Sequence, residues 1–319
     1  MSMAARNPGS APGVKLRHYL SVADFSPRRT LEVIATARKL KRAHAHGENA
    51  PLLAGRTLAM VFQKPSLRTR VSFEAGMTQL GGHAIYLGPD DIRLGQRESV
   101  EDIAIVLARM SDLIMARVFE HAIVEELARH STVPVINGLS DLEHPCQILA
   151  DLMTIQERKN RLEGLHVVFV GDGNNVAHSL LLACAALGTH CSVACPPGYE
   201  PQPAVLERAR ACAHPATRIA VTHDVDAACR DADVLYTDVW TSMGQEAEAQ
   251  ARREAFHDYQ VNAGLLKLAH PDCTILHCLP AHYGEEIDYA VSRSPNSAIF
   301  DQAENRLHAQ KALMVMLAG

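Results

Sequence analysis

Short, nearly unbroken apolar runs separated by amphipathic stretches set the rhythm of this chain. Runs at 58–62, 84–87, 113–116 and 134–136, and again at 165–170, 191–195, 218–221, 234–236 and 274–276, have the length of strands buried on both faces. Helical patterns lie between them. Ser26-Pro27 suits the start of a helix reaching about Arg42, and Ser66 the cap of one reaching Leu80 before Gly81-Gly82. Further helices are predicted over 100–110, 121–130 and 144–158, behind the turn at 171–177, and from His308 to Leu317. The polar stretch 88–98 is read as a long loop, of the kind that often has a task of its own. Such alternation predicts an α/β protein built on parallel sheets, with functional turns on the rim where the strands end. At 319 residues the chain exceeds one ordinary core, and the charged run 156–163, closed by Gly164, marks the passage to a second α/β unit. Two doubly wound parallel-sheet domains with a cleft between them are therefore expected.

The rim turns carry the chemistry. Lys64-Pro65-Ser66-Leu67-Arg68-Thr69-Arg70 places three cations and two hydroxyls directly after a strand. A helix start there would bring free N–H groups, the positive end of the helix dipole and the guanidiniums of Arg68 and Arg70 to one point, which is how proteins hold phosphate. A solvated charge run is the plain alternative. Arg117 ends another strand, and His144 and Gln147, three apart at a helix start, share a face. Gly171-Asp172-Gly173-Asn174-Asn175 begins like a dinucleotide fingerprint, but its third glycine is Val176 and no acidic residue ends the next strand. The amides of Asn174 and Asn175 suit a small polar ligand instead. Asp238 opens the turn Asp238-Val-Trp-Thr-Ser-Met-Gly244, and His277-Cys278-Leu279-Pro280 follows the next strand. Alone, Asp238 reads as a helix cap and Cys278 as a buried thiol; their common place on the rim argues for more.

Composition narrows the ligand. With 47% hydrophobic and 21% charged residues and a formal net charge of −5, the chain has the balance of a soluble globular protein and not of a general nucleic-acid binder. The cation cluster at 64–70 is thus local and aimed at a small anion. No apolar stretch is long enough to span a bilayer. The eight cysteines include no C-x-x-C pair, which points away from a zinc site or a disulfide framework and toward a reducing cytoplasm. Met1 to Val14 lacks the apolar segment of a secretory signal and reads as a frayed tail.

Set side by side, five turns resemble the aspartate/ornithine carbamoyltransferase family, and within it the ornithine branch, over nearly the whole chain. They are Ser66-Leu-Arg-Thr-Arg70, His144-Pro-Cys-Gln147, Asp238 to Gly244, His277-Cys-Leu-Pro280 and Glu304-Asn-Arg-Leu-His308. The resemblance implies transfer of the carbamoyl group of carbamoyl phosphate to the δ-amine of L-ornithine, giving L-citrulline and phosphate in arginine biosynthesis, with no metal or cofactor. It assigns carbamoyl phosphate to Ser66, Leu67, Arg68, Thr69, Arg93, Arg117, His144, Gln147 and Arg306. Ornithine goes to Asn175, Asp238, Ser242 and Met243, with Arg117, His144, Cys278 and Leu279 between the substrates. It also implies a cis Leu279-Pro280 bond and direct attack by the amine. A homotrimer is implied in which the loop around Arg93 completes a neighbour's site. The domains would be 1–147, joined by the C-terminal helix 303–319, for carbamoyl phosphate, and 148–302 for ornithine.

Three positions depart from the family pattern. Leu67 replaces a frequent Thr, Arg93 a frequent Gln, and Tyr283 a frequent Arg. Asp238 disfavours aspartate as the acceptor. Putrescine and N-acetylornithine remain as rivals, as do, from other classes, a nicotinamide dehydrogenase-like binding protein and a non-catalytic protein on the same fold.

Overall fold

The computed structural model describes residues 18–318 apart from Gln96 and Met243, so the tail 1–14 and the expected substrate contact at Met243 lie outside the described residues. Four strands form the first sheet: β1 (Thr57–Phe62), β2 (His83–Leu87), β3 (Leu113–Arg117) and β4 (Val135–Leu139), all parallel and ordered β2-β1-β3-β4. Five more form the second: β5 (His166–Val170), β6 (His190–Ala194), β7 (Ile219–Thr222), β8 (Val234–Thr237) and β9 (Thr274–His277), ordered β7-β6-β5-β8-β9 and again parallel. Every apolar run named above is a strand.

The helices of the first half are α1 (Pro27–Ala45), α2 (Leu67–Gln79), α3 (Pro89–Ile92), α4 (Val100–Met110) and α5 (His121–His130). Next come α6 (Pro145–Lys159), α7 (Asn175–Ala186), α8 (Pro203–Ala211), α9 (Val225–Cys229), α10 (Ala249–Phe256), α11 (Ala263–Leu268), α12 (Tyr289–Ser292) and α13 (Ile299–Ala318). Ser26 caps α1 with Pro27 at its first position, and the Ser66 hydroxyl accepts the Thr69 N–H at the start of α2. Two expectations need correction. The stretch 88–98 is not all loop, because the Asp91 carboxylate accepts the Gly88 N–H at 2.8 Å and closes the short helix α3. The last helix begins at Ile299, not His308. Its first turns turn Gln302, Asn305 and Arg306 inward, so polar residues occupy positions where an apolar stripe would signal a helix.

Two features of the topology position the site. In each sheet the chain winds outward from a central strand and then crosses back, which opens a crevice at the strands' C-terminal ends between β1 and β3, and between β5 and β8. The register brings Phe62 beside Arg117 and Val170 beside Thr237, so the turns that follow are neighbours in pairs. The two crevices face one another. Helix α6 is buried continuously from Pro145 to Ile155, and α13 returns to lie across α1, α2 and α6.

Candidate active site

Between the facing rims lies a cleft of about 1150 Å³. Ser66, Leu67, Arg68, Thr69, Arg117, His144 and Arg306 line one side; Asn175, Asp238, Ser242, Cys278 and Leu279 line the other. The chain thus brings together twelve predicted site residues drawn from turns spread over 240 positions of sequence.

The first side gathers cations around Thr69, although Glu120 and Asp141 also belong to its lining. Thr69, 1% exposed, accepts from Arg306 Nη2 at 3.2 Å and from Arg117 Nη1 at 3.5 Å. Its hydroxyl joins two guanidiniums and keeps its own proton free to donate. Arg306 also donates from Nη1 to Gln147 Oε1 at 2.7 Å. Turning the Gln310 amide so that its oxygen faces Arg306 adds contacts to Nε at 3.1 Å and Nη2 at 2.9 Å. Arg70 and Arg252 find carboxylates in Glu74 and Asp172, but Arg68, Arg117 and Arg306 have none as partner among the described residues. The buried Nε of Arg117 has no hydrogen-bond partner among the described residues. Burial and the nearby Arg306 and Arg68 push the Arg117 guanidinium down to about 10, and burial with Arg117 beside it pushes Lys64 down to about 8. Burial and the same cations hold His144 well below the ordinary imidazole range, so at neutral pH it is an uncharged hydrogen-bonding group.

Arg70 does not join this cluster. Two residues along a helix rotate the side chain by about 200°, and Arg70 points away from the cleft, paired with Glu74 and stacked over the Tyr86 ring at 3.9 Å. Lys64 takes its place in the lining.

The second side holds one central carboxylate. Asp238, 8% exposed, accepts the Asn174 amide at 2.9 Å, the Val239 N–H at 2.8 Å and the Cys278 thiol at 2.9 Å. Burial and Asp238 push the Cys278 thiol well above its usual range, so it is a protonated donor and a poor nucleophile. Cys278→Ser, whose hydroxyl can also donate to Asp238, is expected to keep more than a tenth of wild-type turnover in a steady-state assay; complete loss with folding intact would point to a covalent role. The atoms of Asp238, His277 and Cys278 lie close enough to hold a metal ion, but each has other work. The thiol serves Asp238, while the His277 ring accepts the Leu279 N–H at 2.9 Å and meets Glu286 at 3.0 Å. Leu279 has φ of +60° and its bond to Pro280 is cis.

The turn after β5 does not offer a dinucleotide seat. A Cβ on Gly173 would lie 2.2 Å from the Pro201 nitrogen, so the chain's own segment 199–201 covers that face. The first N–H groups of α7, at Val176 and Ala177, are taken by the Asn174 side chain. Asn175 donates to the Ser140 carbonyl at 2.6 Å and so bridges the two halves.

Two expected contacts, Gln147 and Arg93, stand apart from the cleft. Gln147 lies beneath it, with both ends of its amide engaged by Arg306 and Asp151. Arg93 is exposed, in the left-handed conformation at the end of α3, and does not line this cleft. Tyr283 sits with Tyr289 and Phe300 around Arg293 on the surface. Sequence reading missed Asp172, which pairs with Arg252 at 2.9 Å in the cleft wall. Arg252 also donates to the Trp240 carbonyl at 3.0 Å and ties the turn after β8 to the turn after β5. The rim position of Asp172 was a usable signal; Arg252, deep in an ordinary helical pattern, offered none.

Comparison with known proteins agrees with this geometry. Residues 17–157 match the family model for the aspartate/ornithine carbamoyltransferase carbamoyl-P binding domain, and residues 163–317 match that for its Asp/Orn binding domain. The chain is 53% identical over 307 residues to an ornithine carbamoyltransferase of Pyrococcus abyssi, covering 96% of this chain and 97% of that one. It is 53% identical to an anabolic ornithine carbamoyltransferase of Pyrococcus furiosus, over 95% of this chain and 96% of the relative. Among solved structures, the ornithine carbamoyltransferase of Pyrococcus furiosus superposes with a TM-score of 0.93 at 53% identity, covering 95% and 97% of the two chains. That of Giardia lamblia superposes with 0.85 at 33% identity, covering 96% and 99%.

Proposed function

Because the chain belongs to the aspartate/ornithine carbamoyltransferase family and is a carbamoyltransferase acting on ornithine, we propose that its cleft joins the two substrates directly, with phosphate on the cationic side and the amino acid on the side of Asp238. The carrying observation is the buried guanidiniums of Arg117 and Arg306, with the half-buried Arg68 beside them, which lack carboxylate partners among the described residues and face a buried carboxylate across one cleft.

In this reading Ser66, Leu67 through its backbone N–H, Arg68, Thr69 and Arg117 receive the phosphate, and Arg306 braces them. Arg117, the Thr69 hydroxyl and neutral His144 polarise the carbamoyl oxygen. Carbonyls at Cys278 and Leu279 accept from the carbamoyl amide, and Gln147 contributes by holding Arg306. Asp238 takes the α-ammonium of ornithine, and Asn175 meets its carboxylate once it releases Ser140. Ser242 and Cys278 border the δ-amine. Free in water that amine would be mostly protonated at pH 7, like lysine, and a closed, cation-lined site favours its neutral form. Its nitrogen attacks the carbamoyl carbon, the carbon–oxygen bond to phosphate breaks, and the amine's proton leaves with the phosphate. Orientation and charge stabilisation are sufficient for such a step.

The division of labour follows the two sheets, with residues up to 147 and the C-terminal helix from 303 serving carbamoyl phosphate, and 148–302 serving ornithine. The exposed Arg93, which does not line its own cleft, supports a homotrimer with shared sites. No described helix is long and apolar enough to cross a membrane; all eight cysteines are free, which supports work in the cytoplasm. The anabolic name of a close relative supports a place in arginine biosynthesis. Supplying carbamoyl phosphate with ornithine, putrescine, N-acetylornithine or aspartate and measuring carbamoylated product tests the reading: turnover with ornithine is expected to exceed the others by at least 100-fold. A better acceptor among the other three would refute it.

A further inference from the structure

Beneath the cleft, and outside its lining, three side chains from three elements meet on the carboxylate of a fourth residue. Asp151 Oδ1 accepts the Gln147 amide at 2.8 Å and the Gln302 amide at 2.7 Å, and Oδ2 accepts the Tyr236 hydroxyl at 2.9 Å. None of the four is more than 1% exposed. An amide side chain has one donating and one accepting end. With both donating ends fixed on Asp151, both carbonyl ends must face outward. That of Gln147 meets Arg306 at 2.7 Å, and that of Gln302 accepts the His277 N–H at 2.8 Å.

We propose that Asp151 is a positioning residue that locks the two half-sites to each other, orienting Arg306 through Gln147 and the 277–280 turn through Gln302. The turn can carry the effect because it is braced. The His277 ring accepts the Leu279 N–H and meets the buried Glu286, which also accepts the His282 N–H at 2.6 Å. Moving the His277 backbone therefore moves Cys278 and Leu279, which line the cleft, and Cys278 donates to Asp238. One path, hydrogen-bonded except for the backbone step from His277 to Cys278, runs from a phosphate-side guanidinium to the amine-side carboxylate. Packing alone would not select a carboxylate at this place, since an apolar residue of similar volume avoids the desolvation that pushes Asp151 up to about 6. The inference rests on the ornithine reading for its kinetic test but not for its structural one.

The test compares Asp151→Ala, Asp151→Asn and Gln302→Ala, each melted to check folding, assayed with both substrates, and probed by hydrogen exchange at the His277 amide. Asp151→Ala is expected to lower kcat at least 30-fold with both KM values within threefold, and to speed exchange at His277 at least tenfold. Asp151→Asn keeps an acceptor oxygen for both glutamines and is expected to recover at least tenfold of the lost kcat. Gln302→Ala is expected to lower kcat about tenfold alone and to add less than twofold to Asp151→Ala. Independent, multiplying effects, no rescue by Asn, or unchanged exchange would overturn the proposal. If Asp151→Ala does not fold, Gln302→Ala decides by the same exchange readout. If the wild type makes no citrulline, the ornithine reading falls while exchange still decides the coupling.

Discussion

Replacing Arg117 by Met is expected to lower kcat/KM about a thousandfold and, in the absence of anions, to raise the melting temperature by a few degrees. The two effects have one cause. Arg117 is 7% exposed at the end of β3, beside Arg306 and Arg68, with no carboxylate partner among the described residues and its Nε unpartnered. The depression of its guanidinium to about 10 corresponds to on the order of 3 kcal/mol set against the charged form in the empty protein. Methionine fills similar space without charge, so the empty site loses much of that strain; a buried ion replaced by an apolar residue is commonly neutral or stabilising by about 1–4 kcal/mol. In the proposed reading, the same unneutralised charge is what phosphate meets as its bond to the carbamoyl carbon breaks. Removing one preorganised contact of this kind typically costs about a hundred- to a thousandfold in rate, and the buried position places Arg117 at the upper end. Inorganic phosphate should raise the melting temperature of the wild type and leave the variant nearly unmoved. A variant that melts lower than wild type, or retains a tenth of its kcat/KM, would show that this guanidinium is held for structure.

That trade also explains what could be read from the residue order and what could not. Strands, caps and rim turns depend on local pattern: an apolar run, Ser before a helix, a polar cluster where a strand ends. All nine strands and the motif turns were legible for that reason. Arg70 was misplaced although it is equally local, because a loop reading ignores the rotation that α2 imposes from Leu67 onward. Long-range polar contacts leave no such trace. Asp151 meets Gln302 and Tyr236 across separations of 151 and 85 residues, and α6 is buried all round, so no polar face marks which of its residues turn toward the site. The onset of α13 was hidden in the same way, by inward-facing Gln302, Asn305 and Arg306. In each case a buried hydrogen bond to a distant partner overrode the rule that polar residues face water.

Asp238→Asn separates the two half-sites in the opposite direction. The substitution keeps size and shape, leaves one oxygen to accept from Asn174 or the Cys278 thiol, and removes the charge together with one acceptor. In the proposed reading that charge pairs with the α-ammonium of ornithine in a site 8% exposed, where breaking a buried ion pair by removing one partner costs about 3–5 kcal/mol. The neutral amide still offers an oxygen, so the lower part of that range applies, and kcat/KM for ornithine is expected to fall about 200-fold. Phosphate affinity, set on the other side of the cleft, should stay within twofold. Discrimination against N-acetylornithine, which has no α-ammonium, should shrink by nearly the whole factor lost with ornithine, because the acetylated substrate never gained from the carboxylate. A variant that lost both substrates equally, or bound phosphate an order of magnitude more weakly, would mean that Asp238 maintains the cleft as a whole. If discrimination instead collapses while phosphate binding holds, the carboxylate selects the amino acid and the cations opposite select its partner.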